Sequence, residues 1–91
     1  MTLTREGEHH VKILPHYYED VKSGIKKFEI RKDDRDYRVG DELYLNEIDP
    51  KSNEPTGRYL STRIIYLIGD PQYCKRGYVV LGIDEVQEHT G

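Results

Sequence analysis

SGIKKFEIRKDDRDYRVGDELYL, Ser23 to Leu45, decides how the chain folds, because glycine placement, strand alternation and charge all change character inside it. Gly24 reads as a helix stop, since a residue without a Cβ enters the left-handed region without strain. FEIRK, Phe28 to Lys32, reads as an extended strand, with Lys27, Glu29 and Arg31 on one face and Phe28, Ile30 and Lys32 on the other. Two charges of opposite sign, Glu29 and Arg31, therefore point the same way, and Lys26, in the turn between helix and strand, falls near both. Asp33 to Asp41 follows as a dense charged loop, with Gly40 permitting the turn into the next strand. From Lys22 to Arg38 there are seven basic residues against four acidic ones, a local +3 in a protein whose net charge is -3.

A basic island on an acidic protein is a place for a phosphate-bearing partner, because only the local potential acts within a screening length. The plainer reading is a solvated strand and loop laced with ion pairs, and the charge pattern alone favours it. The chemistry of the cluster points further. Lys26 and Arg31 can offer an ammonium and a guanidinium to a phosphate or a base edge, while Glu29 accepts from an exocyclic amine or a ring N–H. Tyr37, flanked by Arg35 and Arg38, has the aromatic-among-basic arrangement that contacts single-stranded nucleic acid, although Asp33, Asp34 and Asp36 oppose phosphate.

Upstream, HVKIL (His10 to Leu14) alternates as a first strand with Val11 and Ile13 facing one way. Pro15 ends it and suits the first turn of a helix, in which Leu14, Tyr17 or Tyr18, and Val21 recur on one face up to Ser23. Tyr17 and Tyr18 are adjacent and cannot share a face, so one packs inward and the other lies at the flank, where it can stack on a base. Residues 1–7 are expected to be a flexible tail and residues 8–88 a single domain. Downstream, ELYLNEID carries Leu43 and Leu45 inward, and the turn-rich DPKSNEPTG (Asp49 to Gly57) leads to the return strand RYLSTRIIYLIG. There the near-continuous Ile64, Ile65, Leu67 and Ile68 predict burial on both faces. YVVLGIDEV closes the fold, and EHTG is expected to fray. The order strand, helix and four strands predicts an α+β, mostly β chain: a small five-stranded antiparallel pseudobarrel with one short helix after the first strand.

Gly24, Lys26, Glu29 and Arg31 stand in the spacing G-x-K-x-x-E-x-R, which resembles the signature of ASCH domains in the PUA-like barrel superfamily. The likeness runs from His10 to about Ile83, through HVKILPHYY, VGDELYLNE, TGR, IIYLIG and GYVVLGI, and is similar to one small bacterial and phage family of unassigned function. It implies the PUA-like barrel and one of three activities: RNA binding, modified-nucleotide binding or, in one ASCH branch, hydrolysis of an acylated cytidine. In that branch the lysine works beside a threonine at the place where this chain has Glu29, so Lys26 matches and the nucleophile position departs. The expected function is an RNA- or modified-nucleotide-binding module that uses Lys26, Glu29, Arg31, Lys27, Arg35, Tyr17, Tyr18 and Tyr37. The alternatives are a small amidohydrolase, with Glu29 as general base and Lys26 stabilising developing charge, and an accessory interaction protein in which the cluster is only an ion-paired turn.

Composition narrows the field. With 91 residues, 34% charged and 35% hydrophobic, the chain makes one small globular domain, and no apolar run is long enough to cross a bilayer. No apolar segment follows Arg5, so a secretory leader is not expected, and Cys74 alone forms no intrachain disulfide, which favours a reducing cytoplasm. His9, His10, His16 and His89 lack ligand spacing and cysteine partners, so no metal is expected. The phosphate-cradling, nucleophile-elbow and dinucleotide loops are missing, and no cofactor is expected.

Overall fold

The computed structural model describes residues 7–90; of the expected N-terminal tail, all but Gly7 lies outside the described residues. The elements are β1 (Glu8–Ile13), α1 (Pro15–Lys22), β2 (Phe28–Lys32), β3 (Glu42–Ile48), β4 (Pro55–Ile68) and β5 (Tyr78–Thr90). They form one five-stranded sheet in the order β1-β3-β4-β5-β2, curled into a half-barrel with the helix beside it. The α+β, mostly β class holds, but one pair of the expected antiparallel set is different: β1 and β3 run parallel, in register from Glu8 opposite Glu42 to Ile13 opposite Glu47. The chain leaves β1 through α1 and lays β2 at the far edge before returning, and that crossover lets β3 run beside β1 in the same direction.

Pro15 opens α1 with no side-chain cap, and Tyr18 N–H donates to the Leu14 carbonyl at 2.9 Å. Proline at the first position removes a donor that would have no intrahelical partner. The helix stops at Gly24, whose φ of 87° is in the left-handed region. Val21 and Tyr18 turn inward against Val11, Ile13, Leu43, Leu45, Leu60, Ile64, Val79, Leu81 and Ile83. The sheet curls through register shifts between Asn46 and Ile48, Ser61 and Arg63, and Ile64 and Tyr66, because each extra residue bends its strand and increases twist.

The sheet overturns three expectations. Ile64 is buried and Leu67 packs on the core, but Ile65 and Ile68 are exposed, so β4 is buried on one face only. The helix lies against β3 and β5 and leaves the outer face of β4 uncovered. The segment EHTG does not fray as far as it is described: Glu88, His89 and Thr90 pair with Leu60, Tyr59 and Arg58. The hairpin turn is also tighter than the sequence suggests. The Asp49 carboxylate accepts from Lys51 N–H at 2.8 Å and the Asp49 carbonyl from Asn53 N–H at 2.7 Å, and β4 begins already at Pro55.

Among the described residues, two of the polar clusters that tie the half-barrel together lie outside β2. At one, the buried His9 and Asp41 side chains meet at 2.8 Å, and Asp41 also accepts from the Arg38 backbone N–H at 3.0 Å. Gly7 lies so close that a Cβ built there would stand 1.8 Å from Asp41 Oδ1. Gly7→Ala should displace that carboxylate and cost about 1–3 kcal/mol in urea unfolding, whereas Gly24→Ala should act only through its positive φ. A Gly7→Ala protein as stable as the parent would contradict this reading. At the other cluster, Arg58 gathers Glu19, Glu47 and Glu88 from α1, β3 and β5.

Candidate functional site

The sheet order leaves β1 and β2 at its two edges, facing each other across the open side of the half-barrel. The site forms on this seam. After Gly24 the chain is pinned by Ile25 and Lys26 N–H groups, which donate to the Asp20 carbonyl at 3.0 and 2.9 Å and aim Lys26 along the start of β2. Among the described residues β2 pairs only with β5, from Phe28 opposite Gly82 to Lys32 opposite Tyr78. Its alternation is inverted relative to an ordinary sheet strand. Glu29 is 3% exposed and faces inward, while Phe28 and Ile30 are 44% and 56% exposed on the outside.

A buried carboxylate is held only where donors replace its water. Lys26 Nζ donates to Glu29 Oε2 and, at 2.7 Å, to the Phe28 carbonyl. Arg31 Nη1 lies 3.5 Å from Glu29 Oε1 and donates at 3.1 Å to the Lys12 carbonyl of β1, across the seam. The Lys26 ammonium also sits over two rings, 5.5 Å from the centroid of Tyr17 and 5.1 Å from that of Phe28. Around this group opens a recess of about 470 Å³ lined by Lys12, Ile13, Leu14, Tyr17, Lys26, Phe28, Glu29, Ile30 and Arg31. Its walls are mostly apolar and aromatic, with one carboxylate and three cations lining it, a composition found in small-molecule pockets.

Lys26, Glu29, Arg31 and Tyr17 thus come together as expected. The other four sit apart from that group. Tyr18 is fully buried, with its hydroxyl donating to Glu88 at 2.8 Å, and has no face for a base. Tyr37 packs in the core against His9, with ring centroids 4.7 Å apart; burial pushes its hydroxyl pKa up, against the pull of Arg35 and Arg31. Lys27 precedes the strand and lines a separate hollow with Ile83, Asp84 and Glu85. Arg35 lies in an adjoining recess and donates to the His10 carbonyl at 3.1 Å. Sequence reasoning passed over Lys12, Leu14 and Phe28 as lining residues. The signal was available for Lys12, the outward position between inward Val11 and Ile13.

The family model for a domain of unknown function, DUF3850, matches residues 8–83. The chain belongs to this family. No curated protein matches it. The DUF3850 match spans both edges of the seam, the helix and the whole recess, and stops within β5 before Glu88. Among the described residues of this DUF3850 chain, no helix is long and apolar enough to cross a membrane.

Proposed function

We propose that the seam recess binds a nucleobase of RNA or of a modified nucleotide, in a PUA-like domain of the ASCH type working in the cytoplasm. The observation that carries this is the inward Glu29 carboxylate at the base of an open, aromatic-walled recess. A base edge presents the ring N–H and exocyclic amine that such an acceptor takes, and Tyr17 and Phe28 offer rings on which its face can stack. Lys12 and Arg31 at the rim suit the attached phosphate. The resemblance of G-x-K-x-x-E-x-R to the ASCH signature supports the same reading.

Titration of labelled single-stranded and hairpin RNA, and of modified nucleosides, at two salt concentrations is the test. Binding should weaken as salt rises, and Glu29→Gln should lower affinity about 10- to 100-fold, the loss expected for one charge-assisted hydrogen bond. Absence of salt-sensitive binding at micromolar protein would leave the accessory interaction protein as the better account.

The direct Lys26–Glu29 contact favours a second reading, an amidohydrolase acting on an acylated nucleoside. Glu29 would take the proton of a water attacking the acyl carbon, Lys26 would face the developing oxyanion, and the nucleoside amine would leave protonated. Prolonged incubation with acylated cytidine that releases no carboxylic acid would eliminate it.

A further inference from the structure

We propose that the ligand does not end at the base recess but continues along the seam, so that the preferred guest is a single-stranded step of two nucleotides, read by its base at the first and held by its phosphate at the second. This rests on the nucleobase reading above and extends it to the class of ligand. The argument begins with β1. Its edge carbonyls of Lys12 and His10 are taken by two guanidiniums from the other side of the gap, Arg31 at 3.1 Å and Arg35 at 3.1 Å. Lys12 and His10 are two residues apart on a strand, so the carbonyls that anchor the two cations recur about 6.6 Å apart along the seam, a step comparable to that between successive phosphates of an extended single strand.

Space follows the same line. A second recess of about 230 Å³ adjoins the first and shares Ile30 and Arg31 with it. Arg31 therefore stands at the junction, with the base recess on one side and Lys32, Asp34 and Arg35 on the other. Together the two recesses carry five basic and two acidic side chains, on a chain whose net charge is -3. The Asp34 contact to Arg35 is long, 3.7 Å between half-exposed groups, and a phosphate can replace it. Among the described residues, Tyr37 is the only aromatic lining the second recess, and it is buried, so that end offers charge and the Ile30 side chain but no open ring. Base discrimination belongs to the first position, and the second is tolerant of sequence.

The test compares the four nucleoside 5′-monophosphates with dinucleotides that carry the best of them followed by each base, in ribose and deoxyribose forms, by calorimetry or competition. A dinucleotide of either sugar should bind at least tenfold more tightly than its monophosphate, with little dependence on the second base, and its salt slope should steepen by about 0.7 for the added phosphate. Lys32→Ala and Arg35→Gln should each bring the dinucleotide-to-monophosphate affinity ratio down toward one. Monophosphate binding with no dinucleotide gain in either sugar overturns the extension and leaves the base recess standing. Failure of every probe to bind overturns both.

Discussion

Replacing Arg58 by methionine should cost about 3 kcal/mol of folding stability and lower Tm by roughly 12–24 °C, among the largest single losses open to this domain. The cause is the company this side chain holds. Nε and Nη2 donate to the two oxygens of Glu47 at 2.8 and 2.9 Å, Nη2 also to Glu19 at 2.7 Å, and Nη1 lies 3.4 Å from Glu88. The guanidinium carbon stacks 4.1 Å from the Tyr18 ring centroid. The Glu47 side chain is 6% exposed and Thr56 Oγ1 is its other donor, so without Arg58 a buried carboxylate is left with one neutral partner. Arg58 is 30% exposed, which is why the low end of the cost of breaking a buried pair applies. Adding Glu47→Gln to Arg58→Met should recover much of the loss, since the remaining group is then uncharged.

The same cluster sets the pH response. The hydrogen bonds from Arg58 hold the Glu47 carboxyl below its ordinary value of 4.5, and those from Tyr18 and Lys22 do so for Glu88. A folded-state pKa below the unfolded one means stability that is fully present above about pH 4.5 and lost as pH falls through the folded value. At the other extreme, burial and the Glu88 carboxylate raise the Tyr18 hydroxyl above 10, so the folded state retains a proton that the unfolded chain releases, and stability declines as pH rises past 10. Urea midpoints across pH 3–11 check both arms, and Arg58→Met should flatten the acid one. An acid limb unchanged by that substitution would mean that other carboxylates govern it.

The legible parts of the fold were those written in local periods. Gly24 marked the helix end, Val11, Ile13, Leu43, Leu45, Val79, Leu81 and Ile83 alternated inward, and Lys26, Glu29 and Arg31 fell together because they are close in sequence. Local periods do not say which face of a strand is the inner one. Hydropathy would turn Phe28 and Ile30 inward, yet β2 stands at the seam, where its inner face meets the Lys12 carbonyl and the Lys26 ammonium, and the charged residues fit there instead. Contacts between distant residues leave no period at all. Arg58 reaches Glu19 and Glu88 across 39 and 30 positions, and His9 reaches Asp41 across 32. The charged loop hid Tyr37 for a related reason: its neighbours Arg35, Asp36 and Arg38 are solvent-facing, and one buried ring among them breaks no visible pattern.

The second large effect lies at the recess and separates a binding site from an ion-paired turn. Lys26→Met should destabilise by about 2 kcal/mol, because Glu29, 5% exposed at its side chain, would keep only the longer contact to Arg31. Glu29→Gln should cost only about 1 kcal/mol, since an amide oxygen still accepts from Lys26 while the strong charge-assisted contact is lost. In the double variant the losses should fall short of their sum by 1 kcal/mol or more, as expected for groups in direct contact. Stability alone would be the same in either account. The difference appears when binding of RNA or nucleotide is measured on the folded fraction of each variant. A site that reads a base through Glu29 loses affinity in Glu29→Gln out of proportion to its small stability loss. A purely structural pair loses stability in Lys26→Met and changes nothing in the titration. Equal affinities for the parent and Glu29→Gln, measured well below the urea midpoint of each, would assign Glu29 to the scaffold and leave the seam without its reader.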